Sequence, residues 1–520
     1  MSVSWPKYAS NCKSRLSAIA RSCFLGRARW AERCREQRLL LEELGEEVAN
    51  SEVRVEQVMQ ENDRLRERIA ELETQLAQPK PLELPLEEAP PGQQYGAGLI
   101  TLCVNLARNI GLRPAVRALD VFMKWLNVQV AIPTYQSIRG WMQRIGLDRM
   151  QNARKTPGGV WLTDHTNQIG REKVMVVLRV PNGQWARSGA PLGHNDVEVL
   201  AVVPGEEWKR ENVAKVYQET ADRCGLPRAI ESDGAVELRE PAEMLEKQGE
   251  KPLVLRDPKH FLANKFEALL THDPQYQAFV KQLSGTRPAL QQTELAHFIP
   301  PTFKIKARFM NLAPTLDWAT MVLWHLDHPE SESRQSITER RMLEKLGWLR
   351  EYASSIKQWQ VCQQVVSAAL TLINQQGIFR GAANQFNKRV AKLEHNPMSQ
   401  QLVDVFVEFL RKYERDLRPR EQLPMSTEIL ESSFSLYKQL EKQHSKSGFT
   451  SLLLTYPVLL RETTPKEVRA SFKRVKVANV KKWIEKHLPN TMASKRQLVY
   501  RESKPKGKRQ NSATSVALTP

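Results

Sequence analysis

Three acidic residues, far apart along the chain, are of the type and setting that metal chemistry needs. Asp164 lies in "WLTDHT", Asp233 in "ESDGA" and Glu431 in "TEILESSFSLYK". Mg²⁺ takes oxygen ligands and keeps several waters, so a few carboxylates can hold two ions about 4 Å apart. One ion then activates an attacking water or 3′-hydroxyl, and the other stabilises the leaving oxygen. We therefore expect Asp164, Asp233 and Glu431 to be catalytic ligands of two Mg²⁺ ions, with Mn²⁺ as a substitute.

The third carboxylate has a rival within the same helix. Glu428 precedes Glu431 by one helical turn and could act as ligand, supporting residue or cap. We prefer Glu431 because Lys438, two turns later, falls on nearly the same helical face and would point along the groove toward a phosphate. An isolated aspartate after a strand is more often a turn or cap residue. The catalytic role of Asp164 and Asp233 is therefore predicted from the order of the surrounding strands and helices.

The elements around the two aspartates predict a mixed sheet. Strand patterns at "VWLTDHT", "KVMVVLRV" and "VEVLAVVPG" precede the helix "RENVAKVYQETADRCG", and the strands "RAIESDGA" and "PLVLRDPKH" flank the helix "VELREPAEMLEKQG". The order β-β-β-α-β-α-β is that of a ribonuclease-H-like sheet. Its first and fourth strands would lie side by side and parallel, which brings Asp164 and Asp233 to one edge.

The predicted catalytic core spans 158–270 and 425–460, interrupted by an all-helical insertion at 271–424. Asp257 and His260, in "DPKH", are either an accessory catalytic pair or a structural pair that fixes the insertion. His165 alternates to the opposite face of its strand and is expected to pack. A metal role for His325 and His328 is not expected, since no cysteines lie near them.

Residues 99–150 predict a helix-turn-helix domain. In that interpretation Thr134, Gln136, Ser137 and Arg139 lie along the first turns of a recognition helix, where short polar and basic side chains can reach base edges. Trp141 and Ile145 would face the core. A three-helix packing domain without DNA contacts has the same apolar pattern and remains the alternative.

Residues 34–78 predict a coiled coil. A heptad of apolar residues runs from Cys34 to Leu76, surrounded by Glu and Arg. Asn62 falls at an a position, where a buried amide selects a two-stranded, in-register pair. We expect a homodimer through 34–76; the alternative is a lone amphipathic helix packed on its own protein. Residues 79–98 read as a proline-rich spacer.

The net charge of +19 lies at the two ends of the chain. Residues 1–38 hold 9 basic and 2 acidic side chains, and residues 466–509 hold 15 and 3. A basic arm at 1–33 and a basic tail at 461–520 are typical of phosphate binding, which is salt-dependent and not sequence-specific. The arm could also mimic a transit peptide, and the tail could be merely solvated. The candidate phosphate contacts in the tail are Lys473, Arg474, Lys481 and Lys482.

Cysteine spacing and hydropathy exclude several classes. The 6 cysteines never form a C-x-x-C pair, which argues against zinc knuckles and a secreted disulfide framework. No apolar run reaches the roughly 20 residues of a membrane helix. We expect a protein of a reducing compartment without a membrane partner, either cytoplasmic and nucleoid-associated or nuclear.

These motifs together resemble DDE transposases, which have a ribonuclease-H-like core and, in some groups, an all-helical insertion before the catalytic glutamate. The resemblance covers about residues 150–460, is of the insertion-sequence type, and includes "DPKH", which is similar to the [C/D]-x-x-H motif of hAT and Mutator-like groups. It implies Mg²⁺-dependent cleavage at element ends, strand transfer into target DNA, and DNA as partner. The alternatives are a non-catalytic DNA-binding regulator derived from a transposase and a nuclease of the same fold.

Overall fold

The computed structural model describes residues 15–77, 89–128, 130–167, 172–182, 191–302, 312–331, 337–443 and 449–503. The chain divides into two compact units, Met1–Pro85 and Leu86–Pro520. The first 14 residues of the predicted arm, the first half of the predicted spacer (79–88) and the last 17 residues of the tail lie outside the described residues.

The first unit contains one long helix, α1 (Arg15–Ala77), of 63 residues. The helix begins well before Cys34, so residues 15–33 of the predicted basic arm are helical. It contains no proline and is rich in the strong helix formers Ala, Leu, Glu and Arg. Apolar side chains at heptad positions are between 43% and 70% exposed; these are Leu41, Leu44, Val55, Val58, Leu65, Ile69 and Leu72.

The second unit is built on a five-stranded sheet in the order β3-β2-β1-β4-β5. Its strands are β1 (Val160–Asn167), β2 (Lys173–Val180), β3 (Glu198–Gly205), β4 (Ala229–Ser232) and β5 (Leu253–Arg256). The pairs β1–β2 and β2–β3 are antiparallel, whereas β1–β4 and β4–β5 are parallel. This is the ribonuclease-H-like strand order, and the predicted sequence of strands and helices is confirmed.

Alternate residues of the strands enter two separate cores. Trp161 and Ile230 pack with helices α5 (Arg210–Cys224) and α6 (Val236–Met244) on one face. Leu162 packs in the larger core on the opposite face, which also holds residues of α14 (Glu428–Lys442). Since side chains alternate along a strand, Asp164 and Asp233 share the face of Leu162 and α14.

Helices make up most of the rest of the unit. They are α2 (Ala97–Ile110), α3 (Leu112–Trp125), α4 (Tyr135–Gln151), α7 (Pro258–Thr271), α8 (Pro274–Leu290), α9 (Ala313–Asp327), α10 (Glu339–Leu346), α11 (Ala353–Gln376), α12 (Ala382–Val390), α13 (Pro397–Glu414), α15 (Tyr456–Leu460), α16 (Pro465–Arg474), α17 (Val477–His487) and α18 (Met492–Glu502). Among the described residues between β5 and α14, the regular elements are helices apart from the two-residue strands β6 (Ile378–Phe379) and β7 (Gln422–Leu423).

Helix α4 is enclosed by the C-terminal segment. Arg144 donates hydrogen bonds to the backbone oxygens of Phe472 and Val475, and Arg149 forms a 2.8 Å ion pair with Glu467. The predicted basic tail is therefore folded as helices α16, α17 and α18 through Glu502, and α16 packs on α2 and α4. Within the described ranges, no helix combines the length and the apolar character needed to cross a membrane.

Candidate active site

Two neighbouring parallel strands, β1 and β4, place Asp164 and Asp233 at the same level of the sheet. Leu162 pairs with Glu231, so the register continued by two residues puts Asp164, within β1, level with Asp233, the residue that follows β4. Asp233 lies in a tight turn in which its Oδ1 accepts a hydrogen bond of 2.8 Å from the Ala235 amide. Gly234 makes this turn possible, since its φ of +91° is one that side-chain-bearing residues rarely adopt.

A buried carboxylate attaches the helix of Glu431 to the sheet. Asp257 follows β5 and is 0% exposed. Its Oδ2 accepts hydrogen bonds from the Thr427 amide (2.7 Å) and the Thr427 hydroxyl (2.6 Å), at the start of α14. Its Oδ1 accepts a bond of 2.9 Å from the His260 amide and so caps α7. The Asp257 carboxylate thus holds two helix starts, of α7 and α14, together at the sheet edge.

Asp164, Asp233 and Glu431 interact electrostatically. The pKa of Asp164 is raised from 3.8 to about 7, first by burial and then by repulsion from Asp233 and Glu431, although a hydrogen bond from the His165 amide and the charge of His260 lower it. A partly buried carboxyl beside two other carboxyls favours its neutral form, because burial penalises the charge and the neighbouring charges repel it. The site therefore has a deficit of positive charge around Asp164.

Glu431 contacts two basic side chains of α7. Lys259 Nζ lies 3.2 Å from Glu431 Oε2, and His260 Nε2 lies 3.6 Å from Glu431 Oε1. The contact with His260 lowers the pKa of Glu431, which burial would raise, and the charge of Lys259 lowers it further. The same contact with Glu431 raises the pKa of His260. Lys259 and His260 thus keep Glu431 ionised and hold it near the sheet edge.

Glu428, the rival third ligand, is held on the other side of Lys259. Its Oε1 lies 3.4 Å from Lys259 Nζ, and its Oε2 accepts a hydrogen bond of 3.1 Å from Asn374 in α11. The charge of Glu431 contributes to the raised pKa of Asp164. This electrostatic interaction favours Glu431 as the partner of the two aspartates.

The chemistry of these residues fits a hard divalent cation. Within the described parts of the chain no three acidic, His or Cys side chains stand close enough to hold a metal ion, and Glu431 instead contacts Lys259 and His260. Asp164, Asp233 and Glu431 nevertheless supply only oxygen donors, the ligand type of Mg²⁺. Burial and the neighbouring carboxylates raise the pKa of Asp164, so a cation bound beside it would favour its ionised form.

Sequence reasoning missed several residues of the site. Lys259 stands between the quoted Asp257 and His260, and its position one residue before the histidine could have drawn notice. Glu231, on β4, is fully buried; burial and then the charge of Asp257 raise its pKa well above 4.5, so its neutral form is favoured. Thr427 occupies the N-cap position of α14, and its amide and hydroxyl both donate hydrogen bonds to Asp257 across the site.

His165, His325 and His328 contact aromatic rings or a hydroxyl group. His165 lies 5.2 Å from the ring of Trp208, and burial lowers its pKa to about 4. His328 stacks on Trp324 at 4.1 Å, and His325 Nδ1 lies 3.1 Å from the Ser331 hydroxyl.

The predicted base-reading residues lie at the start of α4. Gln136 is exposed, and Thr134 caps the helix by accepting a hydrogen bond from the Ser137 amide. Arg139 points inward and donates a hydrogen bond of 2.6 Å to the Ser451 hydroxyl. Trp141 and Ile145 are buried. Gln136 and the first turn are thus accessible, whereas Arg139 is already bound within the protein.

The predicted phosphate contacts include exposed lysines and one arginine that is bound within the protein. Lys438 on α14 and Lys473, Lys481 and Lys482 on α16 and α17 are exposed. Arg474 instead donates hydrogen bonds of 2.8 and 2.5 Å to the buried Asp148 on α4. Burial would raise the pKa of Asp148, but the hydrogen bonds from Arg474 and Ser471 lower it. Arg474 therefore joins α16 to α4 rather than standing free for a phosphate.

Comparison with known proteins adds little to this geometry. No protein-family model and no curated protein matches the chain. Among solved structures, the chain is similar to a chain of the Drosophila P element transposase strand transfer complex, with 9% sequence identity and a TM-score of 0.37 over 71% of this chain and 91% of that chain. A TM-score of this size carries no weight for function, so the sheet order and the carboxylates of the site must support any proposal.

Proposed function

We propose that the protein is a DNA transposase that cleaves and joins DNA strands with Asp164, Asp233 and Glu431. The observation that carries the proposal is the placement of Asp164 and Asp233 at one edge of a ribonuclease-H-like sheet, near enough to Glu431 of α14 for the charges of Asp233 and Glu431 to raise the pKa of Asp164. Asp257 and Thr427 fix the helix of the third carboxylate there. Three converging carboxylates without an equal number of cations would be costly in a site that only binds DNA.

The three carboxylates would hold two Mg²⁺ ions, with Mn²⁺ as a substitute. Bound at this edge, the ions would supply an activated oxygen nucleophile and stabilise the leaving oxygen. Lys259 and His260 hold Glu431 in position, and His260 can take up or release a proton beside it. Glu428 keeps a second contact to Lys259, so Lys259 retains an anionic partner when Glu431 turns toward the aspartates.

DNA would approach across the exposed basic residues near the site and in the C-terminal helices. Lys438 lies two turns beyond Glu431 on α14 and is exposed. Gln136 and Ser137 on α4 are the residues proposed to reach bases, and Lys473, Lys481 and Lys482 are proposed to bind phosphates. The contacts of Arg139 and Arg474 within the protein favour a structural role for those two side chains.

A joining assay tests the function. Purified protein is incubated with pre-cut element ends, a supercoiled plasmid and Mg²⁺ or Mn²⁺, and joined products are measured on a gel. We expect metal-dependent joining, because a 3′-hydroxyl can replace water as the nucleophile at such a site. Cleavage without joining would instead indicate a nuclease of the same fold. DNA binding with neither cleavage nor joining would indicate a non-catalytic regulator derived from a transposase.

A second copy of the chain is the proposed partner of α1. The apolar heptad side chains are exposed, and Asn62 interrupts them at one a position, as in two-stranded coiled coils. A dimer would bring one active site to each of two DNA ends.

Charged substitutions in the heptad test this pairing. Leu65→Glu combined with Ile69→Glu places like charges in the seam at successive d and a positions, and we expect the dimer to dissociate. Glu67→Lys, at the outward f position between them, is the matched control and should leave the dimer intact. Light scattering coupled to size-exclusion chromatography gives the mass of each variant. A double variant that keeps the mass of a dimer would rule out α1 as the interface.

A further inference from the structure

A basic cleft opens beside the turn that carries Asp233. It has a volume of about 780 Å³ and lies between this turn, the start of α7 and the last turns of α13 in the helical insertion. Ser232 and Gly234, the two neighbours of Asp233, form part of its wall. The cleft therefore adjoins the proposed active site.

Cations outnumber acids along the cleft. The basic residues lining it are Arg239, Arg256, Lys265, Arg411, Lys412 and Arg415. The acids are Glu243, which lies 3.5 Å from Arg239, Asp404, which accepts a hydrogen bond from Gln400, and Glu408. Arg411 and Lys412 lie in the last turn of α13, where cations interact favourably with the helix dipole. This interaction does not explain why cations of three other elements line the same cleft.

Arg256 packs in the cleft against a glycine and an aromatic ring. Its side chain lies against Gly234, where an added Cβ would come within 2.6 Å of Arg256 Nε. Its guanidinium lies 5.4 Å from the centroid of the Phe261 ring, and Lys265 Nζ lies 5.7 Å from the same ring. Phe261 in turn stacks on Phe409 of α13 at 4.2 Å. Among the described residues, no acceptor lies within hydrogen-bond reach of the buried Arg256 Nε.

We propose that this cleft binds the sugar-phosphate backbone of the DNA segment adjoining the scissile phosphate. The inference rests on the proposed function, because it places the reacting phosphate at Asp164, Asp233 and Glu431. Arg411 and Arg415 are one helical turn apart, about 6 Å along the axis, which suits a row of phosphates better than a single anion. The aromatic rings are covered by cations and by each other, so the cleft grips the backbone without reading bases.

Salt-dependent binding tests the cleft. The variant Arg411→Ala, Lys412→Ala, Arg415→Ala removes three exposed cations, and its matched control is Arg340→Ala, Lys357→Ala, Lys388→Ala, three exposed cations elsewhere in the insertion. Affinity for a random-sequence DNA duplex is measured by fluorescence anisotropy at several salt concentrations, with chelator and no divalent ion. Each lost phosphate contact lowers the slope of log affinity against log salt by about 0.9, so we expect the cleft variant to lose about 2 to 3. The control should lose less than about 1.

The outcomes separate the cleft from the catalytic proposal. An unchanged slope in the cleft variant, or an equal loss in the control, would overturn the cleft whether or not the wild-type protein cleaves plasmid with Mn²⁺. A smaller salt slope in the cleft variant alone would support the cleft as a DNA-binding site. If the wild-type protein also cannot cleave DNA, the proposed transposase activity would be refuted while the cleft proposal stands. Thermal unfolding of each variant verifies that the surface substitutions leave the fold intact.

Discussion

Asp164→Asn is expected to abolish metal-dependent cleavage and joining while leaving DNA binding unchanged. The amide keeps the size of the side chain but removes one anionic ligand of the proposed metal pair. Since bound ions contribute several kcal/mol to stabilising the transition state, the cleavage rate should fall by about 10²- to 10⁴-fold. Supercoiled plasmid cleavage with Mn²⁺ measures the rate, and anisotropy measures binding. Full cleavage activity in Asp164→Asn would refute the assignment.

The same substitution should stabilise the metal-free protein at neutral and higher pH. The pKa of Asp164 is 3.8 in an ordinary setting and about 7 in the folded chain, so folding favours the protonated form. The contribution of Asp164 to the free energy of unfolding is therefore fully present below about pH 4 and is lost as the pH rises toward 7. We expect Asp164→Asn to melt at a higher temperature than wild type at pH 8 in chelator, with the difference vanishing near pH 4. Loss of cleavage activity combined with a higher melting temperature would indicate that Asp164 is a metal ligand and not a residue that stabilises the fold.

A pair of glutamate variants serves as the matched control. Glu431→Gln should lose cleavage as Asp164→Asn does, because Glu431 is the carboxylate that interacts with Asp164. Glu428→Gln, one turn away on the same helix, contacts Lys259 and Asn374 and should retain most of the activity. The reverse result would make Glu428 the third ligand.

Asp257→Asn is expected to loosen the attachment of α14 and to lower both stability and cleavage. The asparagine can still accept the bond from the His260 amide, but its NH₂ group then faces the two donors of Thr427. Unpaired buried donors of this kind cost about 2 to 4 kcal/mol. Because Asp257 positions the helix of Glu431, cleavage at saturating Mn²⁺ should fall by about 10- to 100-fold, the range seen when the support of a metal ligand is removed. Thermal unfolding and plasmid cleavage measure the two effects.

Two conservative changes at Thr427 distinguish positioning from general stability. Thr427→Ser keeps the hydroxyl bond to Asp257 and should cleave like wild type, whereas Thr427→Val keeps the shape and loses the bond. Both are assayed well below their melting temperatures, where each is folded. If Thr427→Val cleaves as fast as Thr427→Ser under those conditions, the hydroxyl bond from Thr427 to Asp257 contributes to stability alone, and the amide bond at the same position is sufficient to hold α14.

The two aspartates were predictable because their placement follows from local rules. Alternating apolar residues gave the strands, the order of strands and helices gave the sheet, and parallel neighbours brought Asp164 and Asp233 to one edge. Glu431 could be predicted only from the resemblance of its helix to the glutamate helix of DDE transposases, since 197 residues separate it from Asp233. Nothing in the spacing of "DPKH" indicated that Asp257 would bind Thr427 or that Lys259 would bind Glu431.

The predicted DNA-binding residues also show which contacts could not be predicted from the sequence. Charge counting predicted phosphate contacts in the C-terminal segment, but it could not distinguish the exposed Lys473 from Arg474, whose partner Asp148 lies on α4. Arg139 fitted the pattern of a recognition helix, yet its guanidinium meets Ser451. In both cases the decisive partner is more than 300 residues away in sequence.

The sequence by itself determined the order of strands, the faces of the sheet and the position of two carboxylates, because hydrophobic periodicity acts between neighbouring residues. The tertiary structure decided which cations hold Glu431, how α14 is attached, and which basic side chains remain free. Those outcomes depend on contacts between distant segments, where a charged group binds whatever partner the packing of the core brings beside it, and no local pattern encodes that choice.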